Sequence, residues 1–284
     1  MLHLSHSPRR HLLPLVIGLG LLLGALVPPA QAAERTRIQA FLSVTGFDVA
    51  LDSITLSASD APAMLGLDAG RFGADWTRLT KEVFDTEIMR EMALDILENT
   101  LSSEALGHAA EFYASDLGQR LVEVENAAHM EEDGSVKQTE GGALIAQMLR
   151  EGSPRLEYFH RMQAAIDSAD VSVNAIQMIQ MRFLMSAAAA GVIELRLDPE
   201  DLQAMMDAQK GELRRSVKQS GLAHAAWVYR DFSDADILAY TEALEEPLMM
   251  EVYTLLNAVQ YEITANRFEA LAAEMSELRP EQDI

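Results

Sequence analysis

Apolar residues recur every three to four positions along nearly the whole chain, and no stretch alternates convincingly with period two. This pattern predicts an all-α protein. Residues 37–54 place Ile38, Phe41, Leu42, Leu51 and Ile54 at helical spacing, and 76–97 does the same with Leu79, Val83, Ile88, Met92 and Ile96. Between them, 57–73 reads as loop, with Pro62, Gly66, Gly70 and Gly73. Ser102 is an N-cap candidate, with Glu104 in the first turn to suit the helix dipole. Its helix carries Leu106, Ala109, Ala110 and Tyr113 on one face. The chain then turns at Ser115, which is expected to cap a helix with Leu117, Leu121 and Val124 inside, and Tyr113 is expected to be buried beside that corner.

Residues 131–142 are polar and hold three glycines, so they read as a linker, followed by a short helix over 144–149 and a stop at Gly152-Ser153-Pro154. The second half restarts with Leu156, Phe159 and Met162. An apolar helix is expected over 173–190. Asp198-Pro199-Glu200-Asp201 and Ser233-Asp234-Ala235-Asp236 are start signals, the first with Pro at the opening helical position and the second resembling a capping box. Leu248, Val252, Leu255, Val259 and Ile263 mark one face of a long final helix. The expected organisation is a leader at 1–32, a helical module at 33–130, a linker with a short helix at 131–153, a second module at 154–278 and a polar tail at 279–284, the two modules being related bundles of antiparallel helices.

The leader rests on Arg9 and Arg10, an apolar run over 12–27, Pro28-Pro29, and the small-residue site Ala30-Gln31-Ala32, which together form the layout of a cleavable secretory signal peptide. The run has 16 residues, fewer than the ~20 a spanning helix needs. Cleavage after Ala32 implies a periplasmic or secreted protein with no stable membrane insertion afterwards. The whole chain has net charge −22; removing the leader leaves 20 Lys+Arg against 44 Asp+Glu, or −24. Such a surface repels nucleic-acid phosphates and anionic headgroups. With no cysteine, stability must come from burial, and a lipid anchor at the cleavage site is excluded.

A shift of 131 residues lays Ser102–Ala127 over Ser233–Ala258, matching Ser102 with Ser233, Glu111 with Glu242, Leu117 with Leu248, Asn126 with Asn257 and Ala127 with Ala258, and placing Asp116 on Pro247. A competing shift of 116 aligns His108-Ala-Ala-x-x-Tyr113 with His224-Ala-Ala-x-x-Tyr229 but loses the corner. The first shift favours an internal duplication. The pattern Leu101-Ser102-x-Glu104-Ala105-Leu106, then Phe112-Tyr113-x-Ser115-x-x-Gly118, resembles bacterial exported proteins carrying the domain of unknown function 2059, well over 37–130 and loosely in the second half. That family usually has Pro where Asp116 stands here, and the second copy has Glu246 and Met249 in place of Ser and Gly. The resemblance implies a helical, exported domain and carries no established activity, so it supplies no catalytic residues.

The residues themselves supply none either. A nucleophile elbow, a phosphate loop and a zinc-protease H-E-x-x-H are all absent from the sequence. Glu157-x-x-His160 has the spacing of a di-iron helix, but such a bundle needs two of these motifs. The i,i+4 pairs Glu104/His108 and Glu125/His129 read as solvated helix pairs. Met178, Met181 and Met185 share a helix face suited to Cu(I), yet core filling is the expected role. Trp76 and Trp227 are expected as core anchors. No catalytic residue and no cofactor is expected; Glu157, His160, Met178, Met181 and Met185 are the metal candidates. The reading is a non-enzymatic exported protein that binds or scaffolds a partner, protein rather than nucleic acid, with a metal-binding protein or an enzyme of unrecognised type as the alternative.

Overall fold

The computed structural model describes residues 29–67, 73–167 and 169–278. It is built of helices, with no strand among the described residues. The leader up to residue 28 and the tail 279–284 lie outside them. Helix α1 (Pro29–Thr45) stops at Gly46, whose φ of 73° is left-handed, and α2 (Phe47–Asp52) leaves at about 80° to it. The glycine is also needed for space, because a Cβ there would sit 2.4 Å from Asn126 Oδ1. The stretch expected as loop after residue 57 is instead a 3-10 segment (Ser53–Asp60) followed by α3 (Ala61–Met64). Buried Ala58 and Ala61 hold it to the core.

The helix expected over 76–97 is two, α4 (Gly73–Val83) and α5 (Thr86–Thr100). Asp85 breaks it, since its carboxylate accepts from the Glu87 and Ile88 N–H groups and starts a new helix. Next come α6 (Ser103–Tyr113) and α7 (Asp116–His129). Ser102 caps α6, as expected, through the Ala105 N–H at 3.1 Å. Ser115 Oγ accepts from the Gly118 N–H at 3.1 Å and donates to Phe112 O at 2.6 Å, so one hydroxyl ties both helices to the corner. Gly118 is required there, because a Cβ would lie 2.3 Å from Phe112 O.

The segment expected as a linker with a short helix is α8 (Gly134–Glu151), which packs along α11 (Pro199–Val228). Its glycines misled because Gly141 is a contact residue: a Cβ on it would sit 2.0 Å from Ala223 O. Helix α9 (Arg155–Ile166) and α10 (Ala169–Ala189) precede α11, and α12 (Asp234–Leu244) and α13 (Pro247–Met275) follow it. Asp198 and Ser233 are N-caps, as their start signals predict, accepting from Asp201 N at 2.9 Å and Asp236 N at 3.1 Å. The α6–α7 and α12–α13 hairpins share their boundaries at a displacement of 131: caps Ser102 and Ser233, first helices ending at Tyr113 and Leu244, second helices starting at Asp116 and Pro247.

Helix α13 joins the two halves. Phe268 meets Phe84 of the first half edge-on at 5.6 Å and Phe183 of α10 at 5.0 Å. Ile38, Phe41, Leu97, Tyr113, Phe159, Phe183, Ile263 and Leu271 all belong to one buried cluster, so the halves share a core. Arg182 binds Glu262 and Glu269 across the α10–α13 seam. Among the described residues, no single helix is long and apolar enough to cross a membrane.

Two glycines of the same hairpin give opposite expectations. Gly118→Ala should cost at least ~2 kcal/mol, because backbone on both sides cannot yield. Gly107→Ala, in open space on α6, should stabilise by up to ~1 kcal/mol. Urea unfolding midpoints of the two variants check this.

Candidate functional site

A cavity of about 300 Å³ lies where the α1–α2 bend, α6, α7, the end of α9, α11, α12 and α13 converge. Each element delivers polar groups for a local reason. Tyr113 is the last residue of α6, held at the Ser115 corner, and is only 2% exposed. Glu125 and His129 stand one turn apart on α7. Tyr229 caps the C-terminus of α11, five residues after His224. Tyr240 on α12 and Tyr253 on α13 face each other across the second corner.

The hydroxyls converge. Tyr229 donates to Glu125 Oε1 at 2.6 Å and Tyr240 donates to the same oxygen at 2.9 Å. Tyr240 lies 3.0 Å from the Tyr253 hydroxyl and 3.1 Å from that of Tyr113, and Tyr113 and Tyr253 close the triangle. The rings pack as well: Phe112 stacks on Tyr240 at 5.8 Å, and Tyr229 meets Tyr240 edge-on at 5.8 Å. Each phenol thus finds a partner for its hydroxyl, as burial demands. Glu125 Oε2 is the exception, with no protein hydrogen-bond partner among the described residues. The carboxyl is walled in by side chains but keeps partial exposure to the cavity.

Electrostatics follow from this burial. Loss of solvent pushes the Glu125 carboxyl up to about 7, against the stabilising bonds from Tyr229 and Tyr240. No Lys or Arg among the described residues pairs with it. Burial also lifts all four phenols above their ordinary range, with the Glu125 charge adding to the effect. His224 is pushed down to about 4 by burial and then by His129 and Lys137, and His129 is lowered by burial and by Lys137. Lys137 itself is held by Ala128 O at 2.9 Å, at the end of α7. Near neutral pH the histidines are uncharged and the carboxyl is close to half ionised. Chemically, the site can bind a hydrogen-bond donor at Oε2 or exchange a proton there.

The metal candidates lie elsewhere. Glu157 and His160 are exposed on α9, with His160 at the edge of a second cavity of about 540 Å³. Met178 and Met185 are 37% and 36% exposed, so the core role expected for this face is corrected: α10 turns it outward while Val173, Phe183 and Ala187 face in. Among the described residues, no group of three or more His, Asp or Glu could hold a metal ion. The tryptophans sit at the edge of the core, packed against its buried cluster. Both are half-buried; Trp227 donates to Glu140 Oε2 at 2.8 Å and carries Arg230 over its ring at 4.6 Å. The Glu125/His129 pair, expected to be solvated, faces the cavity. The sequence did hold a signal: the doubled His-Ala-Ala-x-x-Tyr string ends at Tyr113 and Tyr229, both members of the cluster.

Residues 87–147 match the model of a family described as "Uncharacterized protein conserved in bacteria (DUF2059)". The match runs from the first turn of α5 through α6 and α7 into α8, and so includes the corner motif, Tyr113, Glu125 and His129. It starts later than the expected resemblance over 37–130 and extends past it. No curated protein and no solved structure matches the chain.

The two shifted groups act on stability in opposite directions. Folding raises the Glu125 carboxyl from 4.5 to about 7, so its contribution is full below pH 4.5 and is lost as pH rises through 7. Folding lowers His224 from 6.5 to about 4, so its contribution is full above pH 6.5 and is lost as pH falls toward 4. Each is worth on the order of 3 kcal/mol. Relative to the parent protein, Glu125→Gln should gain stability from pH 5 to 8, and His224→Gln should gain it from pH 7 to 4.5. Urea midpoints across that range provide the check; a difference that stays flat with pH would mark either group as an ordinary solvated one.

Proposed function

We propose that this is an exported, non-enzymatic binding protein whose ligand occupies the tyrosine-walled cavity beside Glu125. The observation that carries the reading is a buried carboxyl with one oxygen saturated by two phenols and the other left free toward a cavity of about 300 Å³. Burial has stripped the Glu125 carboxyl of most of its solvent, and a ligand that supplies a donor to the free oxygen offsets that loss. The size is at the lower end of ordinary small-molecule pockets, and the walls combine aromatic surface with a few convergent polar groups, as such pockets do.

Export is supported by the leader layout at 1–32, and placement in the bacterial envelope accords with an acidic, cysteine-free chain. The equal boundaries of the α6–α7 and α12–α13 hairpins support their origin by duplication of one unit. On this reading the two copies meet in the cavity wall, Tyr113 and Glu125 from one hydrogen-bonded to Tyr240 and Tyr253 from the other.

Two measurements test the proposal. N-terminal sequencing of protein recovered from the cell envelope should read from Ala33; Met1 retained on membrane-bound protein would overturn export. Native mass spectrometry of protein purified without added ligand should show a bound small molecule that is lost in Tyr253→Phe/Glu125→Gln. Stoichiometric copper or iron that disappears in Met178→Leu/Met181→Leu or His160→Ala would replace this reading with the metal-carrier alternative.

A further inference from the structure

We infer that the cavity ligand is an organic ammonium cation, its head on the free Glu125 oxygen and its body in the apolar space between α9, α10 and α11. The inference rests on the cavity being a ligand site, as proposed above, and adds the class of ligand. Three observations carry it.

The first is a surplus of acceptors. Glu125 Oε2 has no protein donor among the described residues, and Glu125 lines the cavity. The neutral imidazoles of His129 and His224 each keep an acceptor nitrogen. An ammonium group brings three donors and no acceptor, which suits such a wall.

The second is the sign of the charges facing the cavity. Tyr113 from α6, Tyr229 and His224 from α11, Tyr240 from α12 and Tyr253 from α13 are uncharged near neutral pH. His129 on α7 is likewise held neutral. Asp167, at the end of α9, is a second carboxylate in the lining, its Oδ2 accepting from Tyr261 at 2.5 Å and from Ser172. Lys137 on α8, the cation acting on His129 and His224, donates to the Ala128 and Glu131 carbonyls at 2.9 and 3.4 Å, and Lys218 of α11 lines the adjoining larger cavity. A carboxylate ligand would meet two like charges, and a neutral one would leave Glu125 ionising without a counter-charge.

The third is room for a body. The cavity of about 540 Å³ shares Ile166, Asp167, His224 and Tyr229 with the first and is lined further by Phe159, Met162, Val217 and Ala225. His160, Asp170 and Lys218 are also in its lining, Asp170 being paired to Arg214. An alkyl or aryl group there buries apolar surface while the head reaches the carboxylate.

The test is calorimetry on the purified protein with three probes of one length: n-hexylamine, hexan-1-ol and hexanoate. Hexylamine should bind at least ~10-fold tighter than hexanol, and hexanoate should not bind. Hexylamine stays protonated below pH 8, so its affinity should fall by about tenfold per pH unit below 7 as Glu125 takes up its proton. At pH 6.5 binding to the unaltered protein should release protons, read by repeating the titration in buffers of different ionisation heat. Glu125→Gln should abolish the amine preference and the proton release. Equal affinities for amine and alcohol, or an amine preference that survives Glu125→Gln, would overturn the ammonium inference while leaving the cavity a ligand site. Failure of all three probes to bind or to move the tyrosine NMR signals would overturn both.

Discussion

A helix of 29 residues that is apolar on several sides has to be surrounded, and that requirement organises this protein. Helix α13 buries Met249, Val252, Leu256, Val259 and Ile263 along one stripe and adds Ala265, Phe268, Leu271, Ala272 and Met275. At about 2 kcal/mol for each large side chain, its burial outweighs any single polar contact in the fold. Covering it takes α4, α5 and α6 from the first half and α9, α10 and α12 from the second. Phe268, between Phe84 and Phe183, marks where the two halves meet.

Into this apolar frame the chain sets four phenols and one carboxyl. Burying such groups is tolerable because the hydroxyls satisfy one another and Glu125 Oε1, and the penalty that remains includes the desolvation of the Glu125 carboxyl. An aliphatic core of the same volume would fold without that penalty. Retention of a desolvated carboxyl, with two neutral histidines beside it and Asp167 in the same lining, sets the cavity apart from packing alone. Elsewhere charges are handled differently: Arg35, Arg90 and Arg182 each hold acidic partners at the surface or its edge.

The helical class, the caps at Ser102, Ser115, Asp198 and Ser233, and the burial of Tyr113 were all legible in the sequence because they depend on residues within a few positions of each other. The resemblance at the corner was legible for the same reason, and Ser115 and Gly118 now have physical roles as tie and clearance. What was not legible depends on contacts across the chain. Gly141 looks like linker until Ala223 is seen against it. Glu125/His129 is indistinguishable from a solvated i,i+4 pair until the inward side of α7 is known. The Met178–Met185 face looks like core because its flanking residues are apolar, and only the packing of α10 on α13 shows which side is covered. Tyr229, Tyr240 and Tyr253 come from three helices, so no local spacing brings them together.

The shared core has a consequence for the order in which the chain can acquire structure. Residues 247–275 leave the ribosome long after Phe84 and its neighbours, which depend on them for cover. Contacts separated by more than 180 residues, such as Arg267 with Val83 O at 3.3 Å, form late and slowly. The early helices therefore stay incompletely packed until α13 has emerged. A late-closing architecture of this kind accords with the export proposed above, in which the chain crosses a membrane before it folds.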